Sequence, residues 1–363
     1  LGGGGAQTAR SLEEEGVSDA PLPLAALVSQ VLVAYTIEFD NEFELRAPHA
    51  TTRYRAGPPA GPWLTSRAMW SNCMRFLRDG PVAADALVRR AGTHTNLDGM
   101  VRWGHVTVRD GIVAPTRRGR HAIAVWNELD GVIEPRWRER FGNENIEALE
   151  AACDRLDQTL TPGLPDCMPI LHYAMLSAPG VGALGEPRED VDRSLPAMLS
   201  RIALTFGLAY ERETKASLAM AANVLRLLAE PVAVRALPRA GGISKEAIAG
   251  AIGFLQRHGF AAVGPERPGS SFKAVTLTAS GHAARKAYET VRTIEARMRE
   301  RTPELTDGLR VALERIAGPN GDDPRLLAGL APKPENWRAK VAPIEHLPHF
   351  PVVLHRGGYP DGS

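Results

Sequence analysis

Residues Pro231–Leu277 read PVAVRALPRAGGISKEAIAGAIGFLQRHGFAAVGPERPGSSFKAVTL. The pattern predicts a short helix over Val234–Ala240, a turn at Gly241-Gly242, and a second helix from Ser244 to about His258. Two strands follow, Phe260–Val263 and Ala274–Leu277, joined by a polar loop rich in Gly and Pro. Ser244 suits the N-cap, where its hydroxyl takes an otherwise unpaired amide, and Gly259 suits the left-handed position that ends a helix.

A helix, a Gly turn, a helix and a hairpin make a winged helix-turn-helix, whose second helix enters the major groove in DNA-binding proteins. The same pattern occurs twice. Leu199–Glu213 aligns with Val28–Glu42, Ala219–Gly242 with Ala68–Gly92, Leu277–Tyr288 with Pro115–Trp126, and Arg297–Arg301 with Arg136–Arg140. The offset changes from about 171 to 151 to 162 while the block order is kept, which indicates an internal duplication. The shifts place an insertion in the first copy, at Arg46–Leu64, and a longer wing in the second. In the first copy the helix-turn-helix is expected at Ala83–Arg90 and Thr93–Trp103, hinged at Gly92. Its wing is expected at His105–Val108 and Ile112–Pro115, turned by Asp110-Gly111, a strong hairpin signal.

On these blocks the chain resembles the MarR-type winged helix-turn-helix transcriptional regulators. It is similar in particular to the tandem, single-chain form found in actinobacteria, which also shares the closing stretch Leu347–Gly362. The likeness extends over roughly Leu22–Ser363. It implies a mainly α fold with small β wings. Each copy would be flanked by long N- and C-terminal helices that form an intramolecular pseudo-dimer. The expected divisions are a flexible tail at 1–20, a first copy at 21–160, a linker at 161–190, a second copy at 191–320, and a packed extension at 321–363. A small apolar effector between the helices and the winged modules is also implied, with Tyr35, Trp70, Trp126, Phe206 and Tyr288 as candidates to line its pocket. Core packing explains the same aromatics.

The expected long helices are Pro23–Glu44, with one wide apolar stripe, Ser66–Arg78, Arg120–Phe141, Asn145–Leu156, Gly281–Arg301 and Thr306–Ala317. Thr161–Pro187 reads as a packed linker, and Trp337, Phe350 and Tyr359 as anchors of the extension. The formal net charge is only +1, but Val88–His121 carries a local +5 and Arg235–Lys286 a local +6. Positive charge thus collects on the two winged modules, where a phosphate backbone would lie.

The DNA readers are expected at the starts of the second helices and on the wings. In the first copy these are Thr93, His94, Thr95, Asn96 and Arg102, with Arg109, Arg117 and Arg118 on the wing. In the second they are Ser244, Lys245, Glu246 and Arg257, with Arg267 and Lys273 on the wing. Asn and Arg suit bidentate contacts to bases, and Ser and Thr suit phosphates or base edges. Diverged heads joined in one chain are free to read two non-identical half-sites about one helical turn, or roughly 10 bp, apart. The covalent pair does not require a homodimer, nor does it forbid one.

Other classes find little purchase. No apolar run approaches the 18 residues of a membrane span, so a cytoplasmic location is expected. Cys73, Cys153 and Cys167 are odd in number and lack metal-type spacing. His346, His349 and His355 with Glu345 lie among prolines, out of step with a zinc helix, and no cofactor is expected. No catalytic motif stands out. Tandem winged helices that act as glycosylases resemble a pattern of paired glutamines, whereas Gln7, Gln30, Gln158 and Gln256 stand apart. The rival reading is a winged-helix protein-interaction module that binds no DNA.

Overall fold

The computed structural model describes residues 21–47, 66–67, 73–91, 97–169, 188, 190–214, 216–334, 339, 344–354 and 360–362. These residues are mainly helical, with two small antiparallel sheets of three strands each. The first sheet is surrounded by α1 (Leu24–Arg46), β1 (Val82–Ala83), α2 (Ala84–Ala91), α3 (Leu97–Arg102), β2 (Val106–Arg109), β3 (Ile112–Pro115), α4 (Arg117–Phe141) and α5 (Asn143–Asp157). Around the second are α6 (Leu195–Glu213), α7 (Leu218–Leu225), β4 (Val232–Ala233), α8 (Leu237–Gly241), α9 (Lys245–Arg257), β5 (Ala261–Pro265), β6 (Lys273–Leu277), α10 (Ala279–Ala287), α11 (Thr290–Arg301) and α12 (Pro303–Ala317). A short α13 (Pro324–Ala328) opens the C-terminal extension.

The sheets have the same strand order, β1-β3-β2 and β4-β6-β5, and nearly the same register. Val82 lies opposite Val113 and Val232 opposite Val275. Both short edge strands come from a Pro-Val-Ala tripeptide, residues 81–83 and 231–233, which was not anticipated as a third strand. Asp110 and Gly111 both take positive φ, 50° and 74°, as a two-residue hairpin of this hand requires.

The exit from each wing is built identically. Thr116 caps α4 by accepting the Gly119 amide at 3.0 Å, and its hydroxyl donates to the Gly104 carbonyl at 2.7 Å. Thr278 caps α10 by accepting the Gly281 amide at 3.0 Å and donates to the Gly259 carbonyl at 2.6 Å. The amides of Thr116 and Thr278 bond the carbonyls of His105 and Phe260 at 2.9 and 3.0 Å. In both places the helix presses so closely on that carbonyl that a Cβ on Gly119 or Gly281 would collide with it. One Thr-x-x-Gly device thus locks the hairpin, the helix before it and the helix after it together.

Helices from the two halves interleave. α1 packs on α4, α6 and α12, and α5 packs on α6 and α12. Every residue from Leu24 to Glu44 is buried, so the single apolar stripe expected for α1 is replaced by burial on all faces. Its acidic residues persist there because each has partners, as buried charge requires. Glu38 accepts two bonds from Arg140, at 2.9 and 3.0 Å, and one from the Trp137 indole at 3.0 Å. Glu42 accepts from Arg46 at 2.7 Å and Arg136 at 2.9 Å.

Several expected boundaries are corrected. α4 begins at Arg117 rather than Arg120, because Thr116 supplies the cap. The single helix expected over Gly281–Arg301 is two, α10 and α11, broken where Tyr288 and Glu289 donate to carbonyls three residues back, a tighter pattern than the α-helix. Within the expected Ser66–Arg78 helix, Met74–Leu77 forms a 3₁₀ turn. Of the helix expected at Thr93–Trp103 only α3 is described, and residues 92–96 lie outside the described residues.

Substituting Gly119→Ala and Gly281→Ala should each destabilise the protein by about 2 kcal/mol or more, because a backbone carbonyl cannot yield as a side chain can. Gly131 lies within α4 with open space around it, so Gly131→Ala should instead stabilise by about 0.5–1 kcal/mol. Chemical denaturation of the three variants checks this contrast.

Candidate nucleic-acid interface

The second winged module is described throughout. Gly242 adopts a left-handed conformation, φ 66°, after α8, and the chain turns through Ile243 into the Ser244 cap. The Ser244 hydroxyl accepts the Ala247 amide at 3.1 Å. α9 buries Ala247, Ile248, Ala251, Ile252, Phe254 and Leu255 against the body and leaves Lys245, Glu246, Ala249, Gln256 and Arg257 exposed. Arg257 folds back along this outer face, its guanidinium 3.3 Å from where a Cβ on Gly253 would stand. The face is thus charged at both ends and small in the middle.

On the second wing, Arg267 and Lys273 are exposed. The tip is well ordered by its own bonds: Glu266 donates its amide to the Phe272 carbonyl at 2.8 Å, and Phe272 donates its amide to the Ser270 hydroxyl at 3.1 Å. The Phe272 ring is 57% exposed and carries the Arg235 guanidinium 4.3 Å from its centroid. Neither residue was singled out from sequence; an aromatic next to Lys273 in a Gly/Ser loop was the available signal.

In the first module, Thr93, His94, Thr95 and Asn96 lie outside the described residues. Arg102 is exposed at the end of α3, its guanidinium 5.8 Å from the Trp103 ring centroid. Arg109 is exposed on β2, opposite Ile112. Arg117 and Arg118 are exposed too, but in the first turn of α4 instead of on the wing, because the Thr116 cap starts the helix at once.

Not all of the local positive charge is available. Arg89 pairs with Asp85, Arg90 with Asp190, Arg235 with Glu266, and Arg239 with Glu345. Among the described residues, Arg102, Arg109, Arg117, Arg118, Lys245, Arg267 and Lys273 have no acidic partner within ion-pair distance. The first module also exposes Val88, Val101, Val108 and Ile112, more apolar surface than the second.

Among the described residues, the aromatic candidates for an effector pocket pack in or against the core. Tyr35 and Trp126 pack around the buried Arg67 guanidinium, 5.8 and 5.7 Å from it, and Tyr35 donates to Asp130 at 3.2 Å. Phe206 is buried within α6. Tyr288 shares a hydrogen bond with His349 at 3.1 Å, and Trp70 lies outside the described residues. A cavity of about 20 Å³, lined in part by Leu32, Thr36, Arg67, Asp166 and Ser200, is lined by none of Tyr35, Trp126, Phe206 and Tyr288. That volume holds about one water.

Burial pushes the Cys73 and Cys167 thiols up to about 12 and raises Cys153 as well, so none offers a reactive thiolate near neutral pH. Glu345 and His349 are engaged with Arg239 and Tyr288, and His355 lies outside the described residues. No helix among the described residues is long and apolar enough to cross a membrane. Comparison with protein-family models, with curated proteins and with solved structures gives no match.

His349 generates a pH prediction. Burial, with the Arg226 and Arg292 charges, holds its imidazole well below the ordinary value. The unfolded chain therefore binds this proton first, and stability present above about pH 6.5 is lost as pH falls. The slope from this group should reach at most about 1.4 kcal/mol per pH unit between pH 6.5 and 5. Denaturation curves of His349→Asn over that range should lack this component.

Proposed function

We propose that the chain is a sequence-specific, double-stranded-DNA-binding transcriptional regulator of the MarR type. Two winged helix-turn-helix copies in one chain would form an intramolecular pseudo-dimer and read an asymmetric or imperfectly palindromic site with non-identical recognition helices. What carries the reading is the Thr-x-x-Gly joint, repeated bond for bond behind both wings. Shared bond geometry at two places with matching sequence supports descent of both modules from one winged unit. The interleaving of α1 and α5 with α6 and α12 is the arrangement a fused dimer needs. Outward basic side chains without acidic partners on both modules supply the phosphate-facing charge.

A second reading is favoured by one observation. Val88, Val101, Val108 and Ile112 give the first module exposed apolar surface, which suits a protein partner better than a polyanion. Salt separates the two readings. Binding to genomic duplex fragments, followed by fluorescence anisotropy, should weaken steeply between about 50 and 200 mM salt. Arg102→Ala and Lys245→Ala should each weaken binding and reduce the slope of log K against log salt by about 1 if the side chain meets a phosphate. A protein-interaction module would show no salt-sensitive duplex affinity.

A further inference from the structure

The second wing holds an aromatic ring in a prepared setting. Phe272 stands at the last rung of the hairpin, where its carbonyl accepts the Glu266 amide at 2.8 Å, one step beyond the Pro265–Lys273 pair. The loop it closes is pinned. Ser270 donates its amide to the Arg267 carbonyl at 2.9 Å, and Phe272 donates its amide to the Ser270 hydroxyl at 3.1 Å. Arg235, in the 3₁₀ turn Val234–Ala236 ahead of α8, grips Glu266 with both guanidinium branches, at 3.0 and 3.1 Å. The same guanidinium lies 4.3 Å from the Phe272 ring centroid. A two-pronged pair is the surface geometry that holds best, so the ring is braced from the body of the module and is still 57% exposed.

The surroundings of the ring are cationic. Arg267 and Lys273 are exposed beside it without an acidic partner within ion-pair distance, while Glu266 neutralises Arg235. That charge is complementary to a polyanion. α9, by contrast, offers little to base edges at its middle. Between Lys245 and Gln256 its outer face carries Ala249 and Gly253, and the Arg257 guanidinium lies back across Gly253. A helix poor in donors and acceptors there leaves base discrimination to another element. The first wing, turned by Asp110-Gly111, carries no aromatic.

We propose that Phe272 is a wedge that partly unstacks one base step under the second module. It rests on the DNA-binding reading above and assigns much of the second copy's sequence choice to its wing. A duplex offers an apolar ring only thymine methyls and sugar edges, or the base faces themselves once a step is pried apart. A braced ring between two cations suits the base faces. Arg267 and Lys273 meet the flanking phosphates, the ring enters the step, and Arg235 is the positioning residue that keeps it aimed. Pyrimidine–purine steps, which unstack most easily, are the ones favoured.

The test sets the full chain beside Phe272→Ala, Phe272→Leu and Lys273→Ala. Duplexes selected from genomic fragments carry 2-aminopurine at successive positions, because its fluorescence rises when a base loses its stacking neighbour. Affinity is followed by anisotropy over a range of salt. The wedge predicts a fluorescence rise at one step with the full chain and with Phe272→Leu, since leucine also wedges, and none with Phe272→Ala. Phe272→Ala should weaken binding at least about fivefold and leave the salt slope unchanged, whereas Lys273→Ala should lower that slope by about 1. Salt-sensitive binding with no rise at any position overturns the wedge and leaves the DNA-binding reading standing. A Phe272→Ala variant that still unstacks the duplex overturns it as well. If no form binds duplex in a salt-sensitive way, the DNA-binding reading fails and the wedge falls with it.

Discussion

The structure depends on the burial of Leu24–Glu44, nearly the whole of α1, among helices of both halves. A helical stretch buried on all sides from Leu24 to Glu44 leaves its polar groups little access to water, so the positions of its neighbours are dictated by what those groups need. Glu38 and Glu42 fix α4 through Arg140, Trp137 and Arg136. Asn41 fixes the start of the extension by donating to the Leu330 carbonyl at 3.2 Å. A Cβ on Gly329 would press on the ends of the Arg140 and Glu38 side chains, so glycine there leaves room for the pair. Removing one member of such a set leaves a buried charge without compensation, which costs more than the pair itself contributes.

A second ionic knot ties the halves through the segment between them. Asp166 accepts from Arg75, Arg188 and Arg201, and Arg201 also grips Asp157 with two bonds of 2.7 Å. Arg75 belongs to the first half, Asp166 and Arg188 to the connecting segment, and Arg201 to α6. Arg67 adds contacts to Asp130 at 2.9 Å and Ser194 at 3.0 Å, with its flat face on Phe39. The frame that carries both winged modules is thus held by oriented charge as well as by apolar packing. Oriented pairs set geometry more sharply than oil-like contacts do, and the two heads proposed to read one duplex would need such a fixed spacing.

Features set by short-range chemistry were legible in the sequence. The Ser244 cap, the Gly259 turn, the Asp110-Gly111 hairpin and the strand pairs each depend on a few neighbouring residues, and the structure has them. Features set by distant partners were not. Nothing local to Tyr288 and Glu289 announces a helix break; Tyr288 is tied to His349, 61 residues further on. The apolar stripe read for α1 gave no sign of burial on its acidic side, because the partners there, Arg136 and Arg140, lie nearly a hundred positions away. Among site residues, Lys245, Arg102 and Arg109 are exposed where their helix and strand positions implied. Arg117 and Arg118 were assigned to a wing because the cap that ends it, Thr116, was not recognised as a helix start. Asp166, the hub of the knot, looked like any linker aspartate.

Hydroxyl-radical footprinting of one chain on a duplex selected from genomic fragments, with the complex mass determined alongside, tests the two-headed account most directly. A single chain should protect two patches about one helical turn, or roughly 10 bp, apart. The sequences under them should differ, and Arg102→Ala should weaken one patch while Lys245→Ala weakens the other. Protection of a single patch, or of two identical patches by two chains, would contradict a covalent pair of diverged heads.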